Sequence, residues 1–224
     1  MNSVKAAIAA TAFLGTSVLA GTTNVGIDPS SAPWLGFMNV FELPENGGGF
    51  VFGSGWGVAD LTASFDDGAN TLTVGPNTVG DPDPFWYQGG GGPGAAGNKF
   101  MEANLYQQID GALAGQTVTF EGSVLSHTFT DAHNARVFIR DFAADFSSSV
   151  DVFADVDAAG NFSISLDTID DASRHVQWGI QVSGVNVWVT DVAPFGNVVF
   201  GTIPTPGSLA MLGLGGLVAA RRKR

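Results

Sequence analysis

The chain has no cysteine, and its 224 residues carry only nine Lys and Arg against 21 Asp and Glu. Without cysteine there is no disulfide framework, so stability must come from a full-sized apolar core, helped at most by an ion held on carboxylates. The shortage of bases sets aside nucleic acid and anionic lipid as partners, because both are bound through clustered Lys and Arg. Histidine is equally scarce. His127 and His133 lie six apart across "HTFTDAH" with Asp131 between them, which is not the i, i+4 spacing of a helical zinc motif, and His175 has no evident partner. Long apolar runs are also missing: a membrane-spanning helix needs about 20 residues, and the two apolar stretches, Ala6 to Leu14 and Ser208 to Ala220, fall short of that at opposite ends.

What is present at those ends is a pair of addresses. Met1 to Ala20 has a single charge at Lys5, an apolar centre and the small residues Val18 and Ala20 where signal peptidase reads, so it is expected to be a secretory signal peptide cleaved after Ala20. Ser208 to Ala220 would form a helix of roughly 20 Å, short of the roughly 30 Å hydrocarbon core. Gly213, Gly215 and Gly216 weaken it further, and Arg221, Arg222, Lys223 and Arg224 would hold its end at the cytoplasmic face. A temporary anchor in the inner membrane is the expectation. Between the ends lie residues 21–203, enough for one domain, with only Lys99, Arg136, Arg140 and Arg174 against all 21 acids. That excess has two readings, a solvating surface or carboxylates collected for calcium.

The middle is written in strands and turns. "NFSISLDT" alternates Phe162, Ile164 and Leu166 with polar residues, "SVDVFADV" alternates Val150, Val152, Ala154 and Val156, and "DAAGN" between them predicts a hairpin over 150–167. "DVDAAGN" also opens like a calcium loop, but Leu166 stands where such a loop needs its closing acid, which favours the turn. Further strands are predicted at 34–41, 57–65, 71–74, 99–109, 116–125, 135–142, 175–183, 185–189 and 197–203. About ten short strands divided by turns indicate an all-β fold, a two-sheet antiparallel sandwich or jelly roll. Two Gly-rich segments, 44–57 and 81–98, interrupt the pattern as loops.

The C-terminal "IPTPGSLAMLGLGGLVAARRKR" resembles the PEP-CTERM sorting signal of Gram-negative bacteria, with a Pro-containing motif, an apolar helix of small residues and a terminal basic cluster. The motif is Pro204, Thr205, Pro206, with Thr where the naming pattern has Glu. The resemblance implies export, transient membrane retention and exosortase cleavage near Pro206, with delivery to the cell surface or an exopolysaccharide matrix. In the middle, "NVFELPENGGGF", "KFMEANLYQQIDGALAGQTVTFEGSV" and "GVNVWVTDVAPFGNVVF" are similar, in that order, to the opening, centre and final strands of carbohydrate-binding modules with the galactose-binding-like jelly roll. That family implies a structural calcium joining a carboxylate near the first strand to one near the last, here Glu42 and Asp191.

Sugars are held by aromatic faces against their C–H surfaces and by polar side chains at the hydroxyls. Trp86 and Tyr87, adjacent in a loop of Gly and Pro, are the expected platform, with Gln88 and Asp83 as polar contacts and Trp56 as a further face; plugging the end of a sandwich is the other role open to such aromatics. Trp34, Trp178 and Trp188 fall in strand patterns and are assigned to the core. For catalysis there is no positive signal: "GSGWG" lacks the spacing of a nucleophile elbow, "GGGG" is followed by no Lys-Ser or Lys-Thr, and the acid doublets Asp66–Asp67 and Asp170–Asp171 are turn residues. The expected protein is exported and non-catalytic, binding polysaccharide in the envelope or matrix, or else serving there as an acidic structural protein.

Overall fold

The computed structural model describes residues 21–202; the expected signal peptide and sorting tail lie outside the described residues. Fourteen strands follow in order: β1 (Thr22–Val25), β2 (Leu35–Glu42), β3 (Phe50–Trp56), β4 (Ala63–Asp66), β5 (Thr71–Val74), β6 (Thr78–Val79), β7 (Lys99–Asp110), β8 (Thr117–His127), β9 (His133–Phe142), β10 (Ser149–Asp155), β11 (Gly160–Asp167), β12 (His175–Val185), β13 (Val187–Trp188) and β14 (Val198–Gly201). Three single 3₁₀ turns are the helical elements among the described residues, and no helix there is long and apolar enough to cross a membrane.

Two six-stranded sheets face each other. The first runs β10-β9-β12-β7-β2-β3 and is antiparallel throughout. In the second, β8 carries β11 along one edge, while its other edge is shared by β1 and β14, with β5 and β4 beyond. Alternation along each strand explains the core. Met101, Ala103 and Leu105 of β7, Val137 and Ile139 of β9, and Trp178, Ile180 and Val182 of β12 meet Leu72, Val118, Phe120, Val198 and Phe200 of the opposite sheet. The all-β sandwich is therefore as expected. Two short parallel pairs, β1 with β8 and β6 with β13, depart from the antiparallel rule.

Three local expectations are corrected, and one strand is added. The expected 150–167 hairpin does not form: β10 pairs with β9 in one sheet and β11 with β8 in the other, so Val156 to Ala159 cross between sheets. The alternation of each strand was right, but a turn sequence specifies a change of direction and not a partner. The segment 50–56, assigned to a Gly-rich loop, is strand β3. Its glycines make the pairing with β2 possible, since a Cβ on Gly53 would lie 2.9 Å from both the Phe37 ring and the Asn39 amide oxygen. The strand expected at 57–65 begins only at Ala63, because Val58–Leu61 turns as a 3₁₀ segment ending at Thr62 with φ +55°. Finally, Thr22–Val25 adds an unexpected strand at the domain's start.

Candidate functional site

The outer face of the first sheet is built from the half of each strand pattern that the core does not use. Along β7 these outward residues are Glu102, Asn104, Tyr106 and Gln108. Register places Gln108 beside Gln177 of β12, Gln177 beside Arg140 of β9, and Arg140 beside Asp151 of β10. Two residues along each strand, Tyr106, Gly179, Phe138 and Phe153 form a second row; a third contains Phe37, Asn104, Gln181, Arg136 and Asp155. Polar and aromatic rows thus alternate across strands spaced about 4.8 Å apart.

This face holds a groove of about 550 Å³, walled by Phe37 at one end and by Phe142 and Phe146 at the other. Its polar side chains are fixed by one another. Gln181 is fully buried and Asn104 is 1% exposed. Arg136 Nε donates to Gln181 Oε1 (2.6 Å), Gln181 Nε2 donates to Asn104 Oδ1 (2.8 Å), and Arg140 Nη1 donates to the same oxygen (3.1 Å). The Asn104 amide nitrogen in turn donates to the Phe37 and Glu102 carbonyls. Nearer the far wall, Gln177 Nε2 donates to Gln108 Oε1 (2.8 Å). A network satisfied in this way holds its members in one geometry before any ligand arrives.

Arginine positions follow from the aromatic row. The Arg140 guanidinium lies 4.5 Å over Phe138 and 5.1 Å over Phe153, and Arg136 lies 4.0 Å over Phe153. Phe138 is fully buried yet stands outside the inter-sheet core, because this cover of Arg140 and Phe153 seals it from solvent. Burial pulls the Arg140 pKa below the usual arginine value, opposed chiefly by Asp151 and Glu102. Burial likewise raises the Tyr106 phenol. Both carboxylates stand off the guanidinium groups: Asp151 is 4.0 Å from Arg140, and Glu102 is 3.9 Å from Arg136. Charge is therefore balanced on this face while donors remain available, the condition under which hydroxyl groups of a neutral ligand can be bridged.

The expected platform has a different fate. Tyr87 is corrected: its ring is fully buried against Trp188, and its hydroxyl donates to the Val79 carbonyl (2.5 Å) beside the Val187 carbonyl, so it offers no face. Trp86 sits edge-on to Phe85, Phe52 and Trp56 and packs partly on the core. Trp56 does line an open depression of about 550 Å³ with Gly57, Asp60, Thr62 and Val189, but its indole nitrogen is spent on Ser54. Asp83 caps its own turn through the Phe85 amide, and Gln88 reaches the Gly97 carbonyl. Tyr87, and in part Trp86 and Trp56, thus take the packing role that was the other one open to these aromatics, while Asp83 and Gln88 stay exposed.

Glu42 is ion-paired to the nearly buried Lys99 (3.0 Å), which also lies over the Phe85 ring, while Asp191 accepts from the Gly94 amide (2.6 Å) and Thr190. Each carboxylate already has its own donor, an arrangement that does not fit a calcium ion shared between them, and no cluster of three His, Asp or Glu suited to a metal occurs among the described residues. The groove residues Phe37, Tyr106, Gln108, Arg140 and Gln177 were missed from the sequence because each sits in a strand. The one available signal was the run of polar residues on the outward half of unusually long strands.

No family model matches the chain, and no curated protein does. Among solved structures it is similar to TmCBM61, in complex with β-1,4-galactotriose, at 8% identity and a TM-score of 0.33, covering 75% of this chain and 83% of that one. It is also similar to the N-terminal CBM22-1–GH10 modules of the Clostridium thermocellum endo-1,4-β-D-xylanase 10B, complexed with xylohexaose, at 9% identity and a TM-score of 0.24. That match covers 49% of this chain and 23% of the other. At these scores the ligand question rests on the groove itself.

Proposed function

We propose that the protein is a non-catalytic carbohydrate-binding module for a neutral polysaccharide, exported to the cell surface or extracellular matrix. The observation that carries it is the groove: aromatic walls at both ends, and between them amide and guanidinium groups already locked in a hydrogen-bonded lattice, with the Asp151 and Glu102 carboxylates about 4 Å from the two arginines. Such a surface stacks on sugar C–H faces and bridges hydroxyls at little ordering cost. Neutrality follows from charge. Arg140 and Arg136 are countered by Asp151, Glu102 and Asp155, and the rest of the domain is strongly acidic, so a uronate chain would be repelled. Single-site affinity would be weak and made useful by many copies on a shared matrix.

The same proposal includes processing by signal peptidase after Ala20 and by an exosortase near Pro206, with a passing association with the inner membrane. Intact-mass measurement of the secreted protein is expected to give a chain beginning at Gly21 and ending near Pro206. The binding test is retention of the purified protein on an array of galactan, xylan, cellulose, polygalacturonate and alginate. Retention on a neutral glycan, reduced about tenfold (about 1.4 kcal/mol) by Tyr106→Ala with the melting temperature preserved, supports the reading. Absence of retention on every glycan leaves the acidic structural protein as the better account.

A further inference from the structure

One wall of the groove is carried by a turn. Residues 143–148 connect β9 to β10, and Phe146 at the tip is 50% exposed and lines the groove. Its φ of +57° lies in the left-handed region, which an aromatic residue holds only when its surroundings impose it. Within the turn, Phe146 N donates to the Ala143 carbonyl, and Ser147 is tied to Asp145. The Ala143 amide also donates to the Ser148 carbonyl (2.9 Å), closing the turn at its base, and the tip is supported further by the first residue of β12. The His175 ring lies parallel to Phe146, at 4.5 Å between centroids and 1° between planes, and Phe142 meets Phe146 at 5.5 Å.

The two ring nitrogens of His175 both face acceptors. Nδ1 is 2.7 Å from Asp110 Oδ1, and Nε2 is 3.2 Å from the Ala144 carbonyl in the turn. A neutral imidazole has one N–H and can satisfy only one of them; the imidazolium satisfies both. Behind Asp110 stands Gln108, whose Nε2 donates to the same carboxylate oxygen (2.8 Å) while its own Oε1 accepts from Gln177. The neighbouring charges are otherwise engaged: Arg174 is bound to Asp141, and Asp145 to Ser147. Building on the proposed glycan groove, we infer that His175 is a positioning residue, whose imidazolium clamps the 143–148 turn and holds Phe146 flat as the groove's wall. On deprotonation the Ala144 bond or the Asp110 bond is lost, the cation leaves the Phe146 face, and the strained turn relaxes. The hydrogen bond that His175 donates to Asp110 raises the His175 pKa above its ordinary value, so the clamp is complete below about pH 6.5 and is released as pH rises through the raised value.

Two measurements on the purified protein test this. In NMR titration from pH 5 to 9, the Phe146 ring resonances are expected to shift with the same midpoint as the His175 ring protons, and to lose that titration in His175→Gln with the fold retained. In gels cast with xylan or galactan, retention is expected to weaken several-fold across that midpoint, while Phe146→Ala binds weakly and evenly at every pH. Phe146 resonances that ignore the His175 titration, or a Phe146→Ala variant that keeps the wild-type pH slope, overturn the clamp and leave the glycan reading standing. Absence of binding to either polysaccharide at any pH counts against the groove's assignment, and the NMR titration still decides the clamp.

Discussion

Tyr87 and His133 show opposite ways of burying a polar ring. Tyr87 is satisfied, its hydroxyl lying between the Val79 and Val187 carbonyls and tying the 81–98 loop to the β6–β13 pair. Tyr87→Phe is therefore expected to cost about 1–2 kcal/mol of stability in urea unfolding, without altering retention on glycan. His133 is poorly satisfied: it is 5% exposed, neither ring nitrogen has a partner at good hydrogen-bond geometry, the Val185 backbone offers only a weaker opposing contact, and its ring is packed near Phe129 and Phe195. Burial pushes its pKa down to about 4. Because the folded value lies below the unfolded one of about 6.5, the stability at stake is intact above pH 6.5 and is lost as pH falls toward 4, up to about 3 kcal/mol. Melting temperatures between pH 7 and 4 should fall for the wild type, and less steeply for His133→Phe.

At the level of elements, the segment between β11 and β12 is tied to the 111–116 turn by Thr168, Ile169 and Arg174 and to β9 by a buried ion pair. Asp141, on the core side of β9 and 1% exposed, accepts from Arg174 Nε (2.8 Å) and the Ile169 amide (2.8 Å), while its own carbonyl takes Arg174 Nη2. Removing one partner strands the other charge. Asp141→Ala is expected to destabilise by about 3–5 kcal/mol, read as a lower urea midpoint. The same scale explains why β10 and β11 part company. Each has one apolar face, and each turns it into the space between the sheets instead of pairing edge to edge with the other, with Val152 and Ala154 from one sheet and Phe162, Ile164 and Leu166 from the other.

For the whole molecule, charge decides what the surface can meet. Four bases stand against 21 acids outside the terminal segments. Two of the four, Lys99 and Arg174, are held in close ion pairs away from the groove, and the other two line the outer face beside carboxylates. Glycan binding through such a balanced face should change less than twofold between 50 and 500 mM NaCl in affinity electrophoresis, since salt screens only unbalanced charge at a distance. A steep fall with salt would instead mark attraction of an ionic polymer and contradict the neutral-glycan reading.

Period-two alternation in residues such as Phe162, Ile164 and Leu166 determined the strands and the all-β class, because which side of a strand is apolar is a local property of the chain. Lack of cysteine set the dependence on a core, and the shortage of bases set the expected charge of the surface. Pairing was decided only in three dimensions. No pattern within β10 or β11 says which edge each will join, and glycines that resembled a loop at 50–56 were what let β3 lie against β2. The candidate site followed the same division. Trp86 and Tyr87 stood out in the sequence because Gly and Pro surrounded them, yet the loop folds inward and spends them on packing. Phe37, Tyr106, Gln108, Arg140 and Gln177 come from four strands spread over more than a hundred residues, and only lateral register makes them neighbours. Alternation tells each residue to face outward; hydrogen bonding between distant strands determines what it faces outward beside.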